Sequence, residues 1–485
     1  MDYSQFLVMK QEIILLVVFL LVFLYDTFAP KNALKGLATF TCALFGIYTI
    51  ACFCPCISGV TNDAFAGMYS TSPIIAMIKN VLNVGVFIVL IQACQWVNSE
   101  ETAVRRGEFF ELLLVTLFGM YLMISARHFL LFVIGLECAS LPLAAMVAFD
   151  KKRYESHEAA VKYILTAVFS SAVFLMGLSL VYGVAGSLYF TEIYGAFGKA
   201  SSAMVICALA FVIAGVGFKL SLVPFHLWTA DVYQGAPTSV TSYLSVISKG
   251  AAAFAFLIIL VQCFGAVYAD AWEWMLYALI ILTITIGNLF AMRQRNMKRF
   301  LAFSSVSQAG YIMLGIIGMN AMGMAAMVYY ILVYVFSNLA AFGVIQAIQN
   351  ATGKVDMDDY SGLSKTNPRL SFAMMLAMFS LAGIPPFAGF FSKFFIFTAA
   401  INQGSIAIYI LVLIALINTI ISLYYYLLVV KAMYISDEAP VVENFKSTLS
   451  ERAGLVITVA GIIFLGIVSV VYNHILTLAE QSHIF

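Results

Sequence analysis

Charge is what this sequence has least of. Asp, Glu, Lys and Arg make up 10% of its 485 residues, against about 25% in soluble globular domains. Hydrophobic residues fill the space, at 63% where about 45–50% is usual, and the mean hydropathy is +0.99. A water-soluble fold is thereby excluded, and an integral membrane protein is what remains. A formal net charge of +1 leaves no basic face for nucleic acid and no acidic tail. A glycine-rich phosphate loop, a dinucleotide fingerprint and a cofactor-attachment motif are all missing, so no redox centre is expected in the chain. The eight cysteines are scattered. Their densest group, Cys52, Cys54 and Cys56 in CFCPC, lacks zinc or iron–sulfur spacing and reads as small apolar filler at a helix end. No basic segment with a small-residue cleavage site opens the chain, so Ile13–Phe28 reads as part of a first spanning helix. The longest polar stretches, Gln349–Leu370 and Ser436–Arg452, are short enough to be connections.

What is present is apolar run after apolar run. About 20 apolar residues cross the hydrocarbon core, and on that measure the sequence predicts fourteen spanning helices. The odd-numbered loops carry the basic residues, among them Lys31, Lys35, Arg105, Arg106, Lys151, Lys152, Arg153, Arg293, Arg295, Lys298, Arg299, Lys354 and Arg369, whereas the even-numbered loops hold Arg127 and Lys199. Positive charge marks the cytoplasmic side. Both termini are then expected on the outer side, which an even span count requires.

Six ionisable residues fall inside the spans: Lys79, Lys162, Lys219, Lys249, Lys393 and Glu137. Glu137, alone among the acidic residues, lies about 14 Å of helical rise from His128 and so near the midplane. A charge at the centre of a span costs about 2.5–3.5 kcal/mol on insertion scales, and such groups mark ion or proton paths. Lys79 follows Pro73 near a helix end and fits a snorkelled surface amine as well as a functional one. Lys162 is within snorkelling reach of a basic loop, but Glu137 on the preceding helix offers it a partner. Lys219, Lys249 and Lys393 lie too deep to snorkel. His226 follows Lys219 by seven residues, two turns along the same face, and a histidine suits proton relay. Desolvation disfavours an ammonium and a nearby carboxylate favours it, so the two protonation states of a buried lysine come close in energy. Moving the carboxylate then moves a proton.

Two spans carry breakers beside a lysine. Pro224 follows Lys219, and Gly383, Pro385, Pro386 and Gly389 precede Lys393. Proline breaks the helical ladder, which a membrane tolerates only where the freed groups meet protein or water. These are the seventh and twelfth spans, five apart, which points to two inverted five-helix repeats around an ion path.

The segments GLECASLP, AVKYIL, GFKLSLVPFHLWTADVYQGAPTSV, NMKRFLAFSSVSQAGY and SLAGIPPFAGFFSKFF resemble, in this order, the subunit N family of bacterial NADH–quinone oxidoreductase, the antiporter-like membrane subunits of respiratory complex I. The resemblance runs from about Arg105 to about Tyr434. It implies an all-α polytopic fold of fourteen helices with discontinuous seventh and twelfth spans. It divides the chain into a three-helix segment (1–104), two repeats (105–265 and 266–435) and a last loop and helix (436–485). It places the family's glutamate on Glu137 and its lysines on Lys162, Lys219, Lys249 and Lys393, as proton-translocating residues. It further implies a non-redox translocase subunit in a bacterial inner membrane, packed against lipid and other membrane-arm subunits, with NADH, FMN, iron–sulfur clusters and quinone held by partner subunits. Lysine at 393 separates the chain from a paralogue with glutamate there. Ala230 stands where the family pattern has proline. A Mrp-type or stand-alone cation/proton antiporter needs the same lysines, and a membrane anchor whose charges only fix packing is the third reading.

Overall fold

The computed structural model describes residues 3–30, 33–59, 61–197, 202–265, 269–435, 439–482 and 484. Lys31 and Lys199, used above for orientation, and Ser436 lie outside the described residues. Among the described residues, thirteen helices are long and apolar enough to cross a membrane. They are α1 (Lys10–Phe28), α2 (Leu37–Cys52), α3 (Pro73–Val97), α4 (Arg106–Ser125), α5 (Phe129–Val147), α6 (Tyr154–Ala185), α7a (Ser202–Leu220), α8 (Thr238–Phe264), α9 (Ala269–Ala291), α10 (Met297–Ile317), α11 (Ala321–Thr352), α13 (Ile406–Ile435) and α14 (Leu449–Ile467). Span α7 continues after a break as α7b (Leu227–Gly235), and α12 consists of two shorter pieces, α12a (Pro368–Ala382) and α12b (Ala388–Ile401). A short α15 (Val470–Glu480) follows. Between α2 and α3 an antiparallel hairpin pairs β1 (Asn62–Ala64) with β2 (Tyr69–Thr71). The fourteen expected spans are present, and the broken ones are the seventh and twelfth.

Local chemistry sets the helix ends. Ser72 caps α3 ahead of Pro73, where a missing N–H costs nothing. Thr448 and Glu451 form a capping box on α14. Asn296 accepts from the backbone N–H groups of Lys298 and Arg299, so α10 begins one residue before Lys298. That cap moves Lys298 out of the loop where the sequence placed it and into a buried first turn, where it donates to Ala236 O at 2.8 Å.

Helices α8, α10 and α11 are buried along nearly their whole length, while α1, α6 and α13 turn apolar faces outward. The central three therefore pack almost wholly against protein. Helix α8 contains π-helical turns at Leu244–Ser248 and Leu260–Phe264, the first immediately before Lys249. Such widened turns shift the register of the following side chains and recur at functional sites.

The breaks satisfy their own backbone. Ser221 takes φ 60° after α7a; Val223 N–H then donates to Thr283 Oγ1 of α9 at 3.0 Å and Trp228 Nε1 to Phe218 O at 3.1 Å. Gly383, at φ 88°, ends α12a as only glycine does without strain. On the far side of that break, Gly389 N–H donates to Ser380 Oγ at 3.1 Å. A Cβ on Gly389 would stand 1.7 Å from Ser380 O, an overlap that backbone cannot absorb. Gly389→Ala is therefore expected to force α12b off α12a and lower the yield of folded protein recovered from membranes. Gly183→Ala, at a site with nothing within 4 Å, is the matched control, and equal recovery of the two variants would refute the argument.

Candidate functional site

Lys219 occupies the last turn of α7a. Its amine donates to Ser140 Oγ of α5 and lies 3.5 Å from Tyr163 OH of α6, 5.7 Å from that ring's centre. Glu137, one turn before Ser140 on α5, is half-buried. Lys249 follows the π-helical turn of α8 and donates to Ser305 Oγ of α10, with the Tyr233 ring of α7b 5.5 Å away. Tyr233 OH approaches the same Ser305 Oγ at 3.5 Å. Trp228 stands between the two clusters, its ring 5.3 Å from Tyr163 and 6.3 Å from Tyr233.

Beyond Ser305 the polar side chains continue along α10. Ser304 bonds Tyr426 OH of α13 at 2.5 Å, and Gln308 donates to the same hydroxyl at 3.2 Å. Gln308 accepts from Tyr330 OH of α11 and donates to Leu381 O at 3.5 Å. Lys393, on α12b, donates to Leu381 O at 3.1 Å and Ala382 O at 2.9 Å. These are the last carbonyls of α12a, where orphan acceptors and the negative end of the helix dipole favour a cation. The Tyr311 ring lies 5.2 Å from the amine. A very small cavity lies beside the amine, with Gln308, Tyr330, Tyr334, Ser337, Ser380 and Lys393 among its lining residues. Lys219, Lys249 and Lys393 are all buried and are strung along one discontinuous row of hydroxyls, amides and rings.

Four expectations need correction. Lys162 is 42% exposed, and its amine pairs at 2.7 Å with both Glu158 and Asp231, not with Glu137. Its helix presents this face outward, and the other Asp231 oxygen holds Arg299 at 2.7 Å. Lys79 does not snorkel: it is fully buried and pairs at 2.5 Å with Glu12 of α1. Glu137 is thus not the one acidic group inside the spans. His226 is buried, but Lys219 and His226 do not share a helix face, because α7a ends at Leu220 and the chain turns at Ser221. Both imidazole nitrogens lack a partner among the described residues. Finally, Cys52 is buried filler, but Cys54 and Cys56 are exposed, since the chain leaves α2 at Cys52.

Asp231, Glu12, Lys298 and the hydroxyl partners Ser140 and Ser305 escaped sequence reasoning. Asp231 lies within the quoted segment WTADVY, where a carboxylate beside a spanning helix was the available signal. Among the described residues no group of three or more His, Cys, Asp or Glu is placed to hold a metal ion.

Residues 126–422 match the family model described as NADH:quinone oxidoreductase/Mrp antiporter, transmembrane. Over 474 residues the chain is 52% identical to the NADH-quinone oxidoreductase subunit N of Phocaeicola vulgatus, covering 98% of both chains. Its fold is similar to that of a chain in respiratory complex I from Thermus thermophilus, with TM-score 0.78 and 31% identity over 94% of this chain and 96% of that one. A chain of the Mrp complex from Dietzia sp. DQ12-45-1b superposes at TM-score 0.84 and 22% identity over 99% and 97%, a likeness of fold alone. The match to subunit N over nearly the full length separates the two readings that the lysines left open: this chain belongs to the NADH:quinone oxidoreductase/Mrp antiporter membrane family, in its NADH-quinone oxidoreductase subunit N branch.

Proposed function

We propose that this chain is a proton-translocating membrane-arm subunit of an NADH–quinone oxidoreductase, with no redox centre of its own. One observation carries the reading: three buried amines stand along a row of hydroxyls and amides through the packed centre of the fold. In oil such groups are costly, and they persist where protons pass. Lys219 takes up a proton from the cytoplasmic side. Lys249, through Ser305 and Tyr233, passes it laterally, with the buried His226 as a relay. Lys393 releases it outward or to the next subunit. Glu137 sets the electrostatics of Lys219, and Lys162, tied to Asp231, sets the field at the neighbouring face. The redox energy comes from partner subunits that hold NADH, FMN, iron–sulfur clusters and quinone. Both termini face outward, and the units are 1–104, 105–265, 266–435 and 436–485. A Mrp-type antiporter is the weaker reading: the family model covers both branches, but the near-full-length identity is to subunit N, and the Mrp chain is alike in fold alone.

The test is Lys249→Met in the assembled complex, reconstituted into vesicles. The expected outcome is fewer protons moved per NADH oxidised, with partner subunits present in normal amount and Lys249→Arg retaining part of the function. An unchanged proton-to-electron ratio would return these amines to a packing role.

A further inference from the structure

We propose that the groove between α12a and α14 is a binding site for one anionic phospholipid. The groove has a volume of about 650 Å³. Its walls are apolar along both helices, with Leu370, Phe372, Leu455, Val456, Val459 and Ile463 among the lining residues, and Phe372, Val456 and Ile463 are exposed. Its charges are confined to one end: Arg369, in the first turn of α12a, and Arg452, in the first turn of α14. Among the described residues no acidic side chain lines it. The neighbouring Glu451 is buried and already engaged by Asn350 at 3.0 Å and Thr448 N–H at 2.9 Å, so it leaves both guanidinium charges available. Arg452 spends one N–H on Ser447 Oγ at 3.3 Å.

Length fixes the kind of occupant. From Arg452 to Ile463 the groove follows α14 for about 16 Å of rise, and one leaflet is half of an about 30 Å hydrocarbon core. An occupant must therefore be apolar over one leaflet's depth and anionic at the rim. A phosphodiester headgroup meets a guanidinium with two parallel hydrogen bonds, and basic pockets between spanning helices hold anionic headgroups in this way. Free phosphate matches only the rim. The site gives the lipid a seat against α12a, the half-helix whose other end receives the Lys393 amine. Binding itself is independent of the proton-transfer reading.

The test uses the assembled complex carrying Arg369→Ala with Arg452→Ala. Both side chains are exposed, so folding is preserved, which native gels check. After detergent washing and exchange into nanodiscs containing either phosphatidylglycerol or phosphatidylcholine, co-purified lipid is counted by mass spectrometry. A photoreactive residue at Val456 reports what lies in the groove. The parent is expected to retain phosphatidylglycerol and crosslink to it, and the double variant to lose about one such lipid per complex. Equal retention of phosphatidylcholine, displacement by millimolar inorganic phosphate, an unchanged lipid count in the variant, or crosslinking to a neighbouring protein would each overturn the assignment.

Discussion

Exchange of Lys219 for methionine is expected to slow proton transfer through this chain by about a hundredfold or more, the scale of losing a positioned acid–base group. Methionine fills nearly the same volume without a titratable atom, so packing against Tyr163 and Ser140 survives while the carrier is lost. In a tightly coupled complex, quinone reduction falls with pumping. Electron transfer from NADH to a water-soluble artificial acceptor reads the partner subunits alone and stays at the parental rate. Ser140→Ala separates charge from hydrogen bonding: it removes the acceptor and keeps the amine, so its effect is smaller. Vesicle acidification by Lys219→Met at the parental rate would end the case for Lys219 as a carrier.

The second large effect concerns stability. Glu12 and Lys79 join α1 to α3 beneath the hairpin, and Tyr69 OH of β2 donates to the same Glu12 oxygen at 2.9 Å. The rings of Tyr69 and Tyr121 lie 5.4 Å from the amine. Breaking a buried pair from one side leaves an uncompensated charge and costs about 3–5 kcal/mol, whereas replacing both partners by apolar groups is often neutral or better. Lys79→Met alone is accordingly expected to lower the thermal midpoint of the complex and its yield from membranes, and Glu12→Leu with Lys79→Met to restore most of the loss. The coupling in this double-mutant cycle is the decisive quantity. If the double variant falls as far as the two single losses added, the pair is not a closed ionic unit.

Span number, the two breaks and the depth of Lys219, Lys249 and Lys393 were legible because each depends on distance along the chain. Apolar length counts helices, and proline or glycine marks where a ladder stops. An amine in the middle of a long apolar run has no polar stretch of sequence within reach, even where, as at Lys219 and Lys393, a break ends its own helix nearby. Facing is different. Lys162 sits in a span yet looks outward, because which side of α6 meets protein is decided by helices far away in sequence. Glu12 was hidden by its nearness to the start of the chain, where a carboxylate reads as interfacial; α3 and the hairpin cover it. Lys298 was hidden by a cap that only the fold reveals. Ser140 and Ser305 belong to a residue type too common to signal anything until an amine is seen pointing at one.

Lys393 does not merely sit near a gap; it ties the two half-helices of α12 together through Leu381 O and Ala382 O. A force that drags α12a by a fraction of an ångström lengthens both bonds at once. Reciprocally, an amine that surrenders its charge loosens the end of α12a. By the symmetry of linked equilibria, the position of a rod of backbone and the occupancy of a proton site become one variable read in two units. The twelfth span can thus carry mechanical signals from a neighbouring subunit into chemistry without any ligand passing between them.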